Sequence, residues 1–348
     1  MRFRHFPLLP GLAFAMAAAA TAQPTPHNSL LVLSKHDHTL AIVDPVSLRV
    51  VAREPVGEDP HEVVASADGR TAYVSNYGFG AYHTLAVIGL VAQQKLPSID
   101  LGPLRGPHGL AFVDGEVWFT AEAAKAIGRY SPTEGKVDWI MGTGQNRTHM
   151  LYVFPNQRRI VTTNVNSSTV TILDKTEGPA GVPTNLPPGI HRLPGPPGGD
   201  WNETVIPVGH GDEGFDVTPD GKQAWVANAW NGTISVVDLN SKKVAATLQA
   251  DVQSANRLKI TPDGKLALVS MLSGPDLVIL NVATRKEVKR LPIGHGAAGI
   301  LVQPDGERAY VSCTPDNYVA VIDLKTLSVV GHIDAGGEPD GLAWAVQQ

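Results

Sequence analysis

The sequence predicts an all-β, seven-bladed β-propeller built from four-stranded blades, and three observations carry this prediction. Short runs of β-branched and apolar residues recur along the chain with a period of roughly 42 residues. Turns of the Pro-Asp-Gly type separate the first two runs of several copies. Charged residues make up only 18% of the chain, and an all-β repeat architecture accommodates 348 residues in one domain.

The repeat is plainest in the second half of the chain. There Thr-Pro-Asp-Gly at 218–221 leads to Trp-Val-Ala-Asn at 225–228 and then to Ile-Ser-Val-Val-Asp at 234–238. Related copies contain Tyr-Val-Ser-Asn at 73–76 and Tyr-Val-Ser-Cys at 310–313. Each copy parses as four strands, A to D, in an antiparallel meander. One such meander is too thin to bury a core alone, but a radial array of meanders is not.

The number of blades follows from counting A strands, each of which starts with an apolar run. The largest spacing between these starts contains a Pro- and Gly-rich stretch, residues 175–199, predicted to be a loop between strands C and D of one blade. Seven starts predict seven blades. The residues that precede the seven runs are His61, His108, His149, Glu213, Asn256, Ala298 and Asp340.

The two ends of the chain are predicted to share one blade. The last A strand, 341–346, has no strands after it, whereas 30–34, 39–44 and 49–56 near the N-terminus form strands B to D without an A strand. Pairing the two ends removes the open edges of the ring. Residues 23–348 are therefore expected to form a single domain with the 175–199 insertion.

Residues 1–22 have the features of a cleavable signal peptide. Arg2 and Arg4 precede the apolar run 8–20, and Ala20-Thr21-Ala22 fits a small-residue cleavage site. We therefore expect a periplasmic or secreted protein with no membrane span in the mature chain. A net charge of −5 argues against nucleic-acid binding. Cys313 is the only cysteine, so an internal disulfide is excluded.

The Tyr-Val-Ser-Asn-like runs, each followed by a Val-Ile-Asp-like strand, resemble the YVTN β-propeller repeat family. The resemblance covers nearly all of the chain after residue 22, and it implies the seven-bladed fold. The family includes surface-layer proteins and uncharacterised periplasmic proteins, and is related at fold level to lactonase-like and streptogramin-lyase-like propellers. It therefore implies a shared scaffold, not one activity.

Strand direction predicts that histidines gather on one face of the ring. The D-to-A connections and the B-to-C turns share this face, which we call the upper face. His61, His108 and His149 occupy equivalent positions in three consecutive blades, and Glu213 holds that position in the next. Because A strands line the channel, with neighbouring Cα atoms about 6 Å apart, these side chains should converge at its upper mouth. The upper-face histidines are His36, His38, His61, His83, His108, His149, His210 and His295.

Three interpretations of this cluster follow from the residue types. Three imidazoles and a carboxylate suit Zn²⁺, Cu²⁺ or Fe²⁺, with His61, His108, His149 and Glu213 as ligands. Such a metal would also support a streptogramin-lyase-like or lactonase-like lyase or hydrolase. The same side chains suit a metal-free site for a small polar or anionic molecule, or simply cap turns.

Further polar residues beside these positions are candidates for ligand binding. Arg147 lies in the segment that departs most from the repeat, where it would clamp a carboxylate or pair with an acid such as Glu213 or Glu122. The expected partner is a small polar or anionic molecule or a periplasmic protein, bound by a monomer. The predicted ligand-binding set is Arg105, Asn146, Arg147, Asn256, Arg257 and Asp340.

Overall fold

A computed structural model describes residues 23–177, 187–189 and 199–348 of the chain. These residues form seven sheets, each of four antiparallel strands in meander order, which confirms the predicted seven-bladed propeller. The predicted signal peptide and most of the predicted 175–199 loop lie outside the described residues.

The closing blade, blade 1, combines both ends of the chain, and blades 2 to 7 follow in sequence order. Blade 1 contains β1 (Asn28–Ser34), β2 (Thr39–Asp44), β3 (Arg49–Pro55) and β28 (Pro339–Val346). Blades 2 to 4 contain β4 (Pro60–Ala65), β5 (Thr71–Asn76), β6 (Thr84–Gly89), β7 (Gln94–Asp100), β8 (Pro107–Val113), β9 (Glu116–Ala121), β10 (Ala126–Ser131), β11 (Lys136–Gly142), β12 (Thr148–Val153), β13 (Arg159–Asn164), β14 (Thr169–Thr176) and β15 (Asp200–Pro207). Blades 5 to 7 contain β16 (Asp212–Val217), β17 (Gln223–Asn228), β18 (Thr233–Asp238), β19 (Lys243–Gln249), β20 (Ala255–Ile260), β21 (Leu266–Met271), β22 (Asp276–Asn281), β23 (Lys286–Pro292), β24 (Ala297–Val302), β25 (Arg308–Cys313), β26 (Tyr318–Asp323) and β27 (Ser328–Ile333).

The core lies between adjacent blades. The second and third strands of each blade face a neighbouring sheet on both sides, so they are buried along almost their whole length, as in β17 and β18. The outer strands alternate between half-buried and exposed residues, as in β19. The sequence pattern follows this difference, because a strand covered on both faces needs a continuous apolar run.

Pairing of the two chain ends confirms the predicted closure. Strand β28 pairs antiparallel with β1, with Leu31 opposite Ala343. Both residues belong to a buried cluster that also contains Val74 and Ile88 of blade 2. The ring is therefore closed by a continuous sheet and core.

The insertion in blade 4 begins later than the sequence suggested. Lys175 and Thr176 still belong to β14 and pair with Trp201 and Asp200 of β15. The connection therefore leaves the hairpin beyond Thr176, at the end of the blade opposite the upper mouth. The described residues contain only two helical segments, the short 3₁₀ turns 78–80 and 314–316, and no helix long and apolar enough to cross a bilayer.

Removal of residues 341–348 should open the ring, because it deletes most of β28 and leaves β1 with an unpaired edge. We expect aggregation or a marked fall in melting temperature, measured by circular dichroism. A matched variant that lacks only Gln348 should melt like the intact protein.

Cys313 provides a second readout of the same deletion. Burial raises the pKa of its thiol to about 12, so iodoacetamide at pH 8 should leave the intact protein unmodified. The truncated chain should be alkylated rapidly. Equal protection and equal melting temperature in both proteins would contradict closure by β28.

Candidate functional site

The seven residues predicted from the repeat lie at one equivalent position, the second residue of each innermost strand. We call them the mouth residues. All seven line a single cavity of about 350 Å³ at the upper end of the channel. They are His61, His108, His149, Glu213, Asn256, Ala298 and Asp340.

Hydroxyl groups from the preceding blade hold most mouth residues in place. Thr120 Oγ1 donates a hydrogen bond of 2.6 Å to the His149 carbonyl, and Ser75 Oγ donates one of 2.9 Å to the His108 carbonyl. Each hydroxyl belongs to the next-to-last residue of the second strand of its blade. The serine of the Tyr-Val-Ser runs therefore forms a hydrogen bond between one blade and the next. The remaining hydroxyl contacts join Thr163 to Glu213, Ser270 to Ala298 and Ser312 to Asp340.

Glycine after the mouth residue allows the strands to approach closely. A Cβ on Gly109 would lie 2.7 Å from the His149 carbonyl oxygen, so any larger residue would push β8 away from β12. The Gly109 N–H also donates to Thr120 Oγ1 at 2.9 Å. The Pro-His-Gly sequence at 107–109 therefore does more than form a turn, since it brings the side chains of His108 and His149 together.

The three predicted imidazoles form a cluster centred on His108, with the rings tilted or edge-on to one another. Ring centroids are 4.5 Å apart between His61 and His108, and 3.9 Å apart between His108 and His149. The edge of Tyr77 completes the enclosure, 5.1 Å from the His108 ring. The spacing of the repeat thus correctly predicted that these histidines converge.

His108 is fully buried, and neither of its ring nitrogens has a hydrogen-bond partner among the described residues. Burial lowers the pKa of His108 well below its ordinary value, and the neighbouring positive charge of His149 lowers it further. The ring is therefore neutral, with a free lone pair on one nitrogen.

His149 lies between two carboxylates. Its Nδ1 is 2.5 Å from Glu122 Oε1, and its Nε2 is 2.8 Å from Glu213 Oε2. The contact with Glu213 does not have the angles of a hydrogen bond. Burial opposes the charged ring, but the two carboxylates outweigh it and raise the pKa of His149. Burial likewise opposes ionisation of Glu213, yet His149 and Arg147 lower the pKa of that carboxyl to about 2.

Glu122 is a residue of this site that the predicted metal set did not contain. Its second oxygen accepts a hydrogen bond of 2.5 Å from Tyr77 Oη. Arg147 binds both acids, with Nε 3.5 Å from Glu122 and Nη1 2.9 Å from Glu213, so the predicted pairing of Arg147 with these acids is confirmed.

A sequence signal for Glu122 was available. It directly follows the second strand of its blade, where the turn reaches over the channel mouth. The equivalent residues Lys35, Tyr77, Leu272 and Thr314 line the cavity. Applying repeat equivalence to this position, and not only to the innermost strands, would have found Glu122.

Within the described residues, His108, Glu122 and His149 form a buried group that could hold a metal ion, with ligand atoms within 4.8 Å of one another. The ring nitrogens of His61 lie near other residues. Its Nε2 lies 3.4 Å from Lys35 Nζ, and its Nδ1 lies 3.6 Å from Asp59. This group shares His108 and His149 with the predicted ligand set and contains Glu122 in addition, whereas His61 and Glu213 lie beside it.

Arg257 lies beneath the cavity and not within it. Its buried guanidinium binds Glu62 through Nε at 3.0 Å and also through Nη2. Glu62 belongs to β4 and Arg257 to β20, which lie on opposite sides of the ring. Because both residues line a lower cavity of about 360 Å³, this ion pair separates the two parts of the channel.

The other predicted ligand-binding residues divide into two groups. Arg147, Asn256 and Asp340 line the upper cavity. Arg105 and Asn146 are exposed on connecting segments and lie outside the lining that the described residues form. Such positions are set by the path of a loop, which repeat spacing does not determine.

Comparisons with known proteins add information on the fold. No protein-family model and no curated protein matches the chain. Among solved structures, a functionally unknown protein from Desulfotomaculum acetoxidans DSM 771 is similar, with a TM-score of 0.71 and 16% identity over 92% of this chain and 100% of that one. A candidate 6-phosphogluconolactonase from Bacteroides uniformis ATCC 8492 has a TM-score of 0.69 and 14% identity over 92% and 100% of the two chains. The dihydro-heme d1 dehydrogenase NirN has a TM-score of 0.61 and 15% identity over 94% of this chain and 77% of that one. At these identities the likeness concerns the fold alone.

Thr120→Val should destabilise the protein, because the isosteric side chain leaves the buried Gly109 N–H and His149 carbonyl unpaired. We expect a loss of about 1–3 kcal/mol in the free energy of unfolding, measured by urea denaturation. Thr120→Ser keeps the hydroxyl and should lose clearly less. A valine variant as stable as the wild type would show that the hydroxyl does not hold the two blades together.

Proposed function

We propose that the chain binds a divalent transition metal at the upper mouth through His108, His149 and Glu122, and that a small polar or anionic molecule binds over this metal. The observation that carries the proposal is the state of His108, a neutral and fully buried imidazole with two unpartnered nitrogens. Nearly all buried polar groups in proteins have hydrogen-bond partners, so such a ring needs an explanation.

Metal binding supplies that explanation. Leaving a buried donor or acceptor unpaired costs about 1–3 kcal/mol, and coordination would satisfy one nitrogen of His108. Histidine and carboxylate together are typical ligands of zinc, copper and iron. The three side chains also fit a metal in space, because His149 and Glu122 are buried beside His108 and their ligand atoms lie close together.

A cation could take the place of the proton that His149 holds between its two carboxylates. Glu122 and Glu213 place two negative charges beside His149, and Arg147 contacts both. A metal bound to His149 would displace its proton and take over the role of neutralising Glu122. Tyr77 and Arg147 hold the Glu122 carboxylate from the other side, as outer groups commonly do for metal-binding carboxylates.

A metal in this position would supply Lewis acidity at the base of the cavity. Arg147, about one-third exposed, faces the same space and would orient a carboxylate or another oxygen anion. Catalysis is not part of the proposal, because the link to lactonase-like enzymes rests on fold similarity alone. Export, which the first 22 residues predict, would place metal uptake outside the cytoplasm.

Metal content and zinc titration test the proposal. Untagged protein should carry about one transition metal per chain by elemental analysis, and the metal-stripped form should bind one Zn²⁺ in calorimetry. His108→Ala, His149→Ala and Glu122→Gln should each weaken Zn²⁺ binding at least ~10-fold, since each removes a ligand. His295→Ala, an exposed histidine on the same face, serves as the matched control and should bind like the wild type.

Two further variants separate this ligand set from the one predicted by sequence. His61→Ala and Glu213→Gln should reduce Zn²⁺ affinity less than His108→Ala and Glu122→Gln do. Absence of metal from every preparation, together with no Zn²⁺ titration near neutral pH, would refute the proposal. Undiminished Zn²⁺ binding by His108→Ala would refute it equally.

A further inference from the structure

The wall of the upper cavity opposite the three histidines carries apolar side chains beside the polar Asn256 and Thr314. Ala298 is the one apolar member of the seven mouth residues, and Leu272 and Pro315 line the same side of the cavity. We propose that the molecule bound here is an organic anion with a compact apolar body, whose body lies over Ala298 and whose oxygen head faces His108 and Arg147. This inference rests on the proposed function and names its ligand class.

The missing side-chain volume at Ala298 is not compensated by a shift of the backbone. Ser270 Oγ donates a 2.6 Å hydrogen bond to the Ala298 carbonyl, the same hydroxyl contact that fixes His108 and His149. Strand β24 therefore stays in register with the ring. The small side chain of Ala298 therefore enlarges the cavity. The cavity volume of about 350 Å³ lies within the usual range for small-molecule sites.

A large apolar side chain also stands at the rim on the histidine side, where the Phe79 ring lies 5.7 Å from that of Tyr77. Phe79 lies in a turn of the upper face, lines the cavity and is 88% exposed. Its backbone has a φ of 49°, a left-handed conformation that is uncommon for a bulky residue. The exposed ring beside the cavity is the observation that assigns Phe79 to the binding surface. Leu272, 53% exposed, stands at the equivalent turn of blade 6.

The charges around the cavity are compatible with an anionic head. Glu213 is neutralised by Arg147 at 2.9 Å, and Asp340 by Lys35 at 2.7 Å. A metal at His108 would add positive charge on the side facing Ala298. An apolar body joined to a carboxylate therefore matches both walls, whereas a small inorganic anion would leave the apolar wall uncovered.

Calorimetric titration with benzoate and acetate tests the inference, because both carry one carboxylate and only benzoate has an apolar body. Zinc-loaded wild-type protein should bind benzoate at least ~10-fold more tightly than acetate. Ala298→Leu should fill the space and weaken benzoate binding ~10-fold or more, with Zn²⁺ stoichiometry and melting temperature unchanged. Phe79→Ala should weaken benzoate binding several-fold, whereas Val330→Ala, an exposed apolar residue of an outer strand, should not.

The outcomes separate this inference from the metal proposal. Equal affinities for benzoate and acetate, or benzoate binding unaffected by Ala298→Leu, would overturn the apolar subsite while normal Zn²⁺ binding left the metal site intact. Conversely, if the protein takes up no Zn²⁺ but still binds benzoate in a manner sensitive to Ala298→Leu, the subsite stands and the metal proposal falls. If the protein binds neither Zn²⁺ nor benzoate, the metal proposal and the apolar subsite are both overturned.

Discussion

The architecture of the channel mouth depends on how closely neighbouring innermost strands approach one another. Two features set this approach: a hydroxyl of the preceding blade that binds the carbonyl of a mouth residue, and a glycine that leaves room for the next strand. Thr120 and Gly109 show both features at one place, where blades 3 and 4 meet. Replacing Thr120 or Gly109 would separate the rings of His108 and His149, because these rings are in contact only while β8 and β12 lie close together.

A site assembled from several blades also requires a closed ring. Lys35, directly after β1, and Asp340, in β28, come from opposite ends of the chain and form a 2.7 Å ion pair that lines the cavity. Closure of blade 1 therefore completes the cavity wall as well as the sheet. Beneath it, the Arg257–Glu62 pair spans the channel and gives the cavity a floor. A buried ion pair contributes little net stability in general, so separating the two parts of the channel is its clearest role.

The fold was predictable from sequence because each copy of the repeat carries its own turns and apolar runs. The mouth residues were predictable for the same reason, since equivalent positions in a ring lie at the same height. Arg257 shows where this reasoning ended: it lies one residue further along the innermost strand than Asn256, and its side chain binds Glu62 below the mouth. Glu122 was missed because it sits in a turn, where the reach of the chain depends on packing between blades. The state of His108 could not be predicted at all, because unpaired nitrogens become evident only when every neighbour is in place.

The central claim is that His108, His149 and Glu122 bind one metal ion together. Anomalous diffraction from crystals of the zinc-loaded protein, recorded at the zinc absorption edge, tests this claim most directly. The account predicts one strong peak per chain at the upper mouth, about 2.0–2.2 Å from a nitrogen of each histidine and an oxygen of Glu122. A peak held instead by His61 with Asp59, a peak elsewhere on the surface, or no peak at all would contradict it.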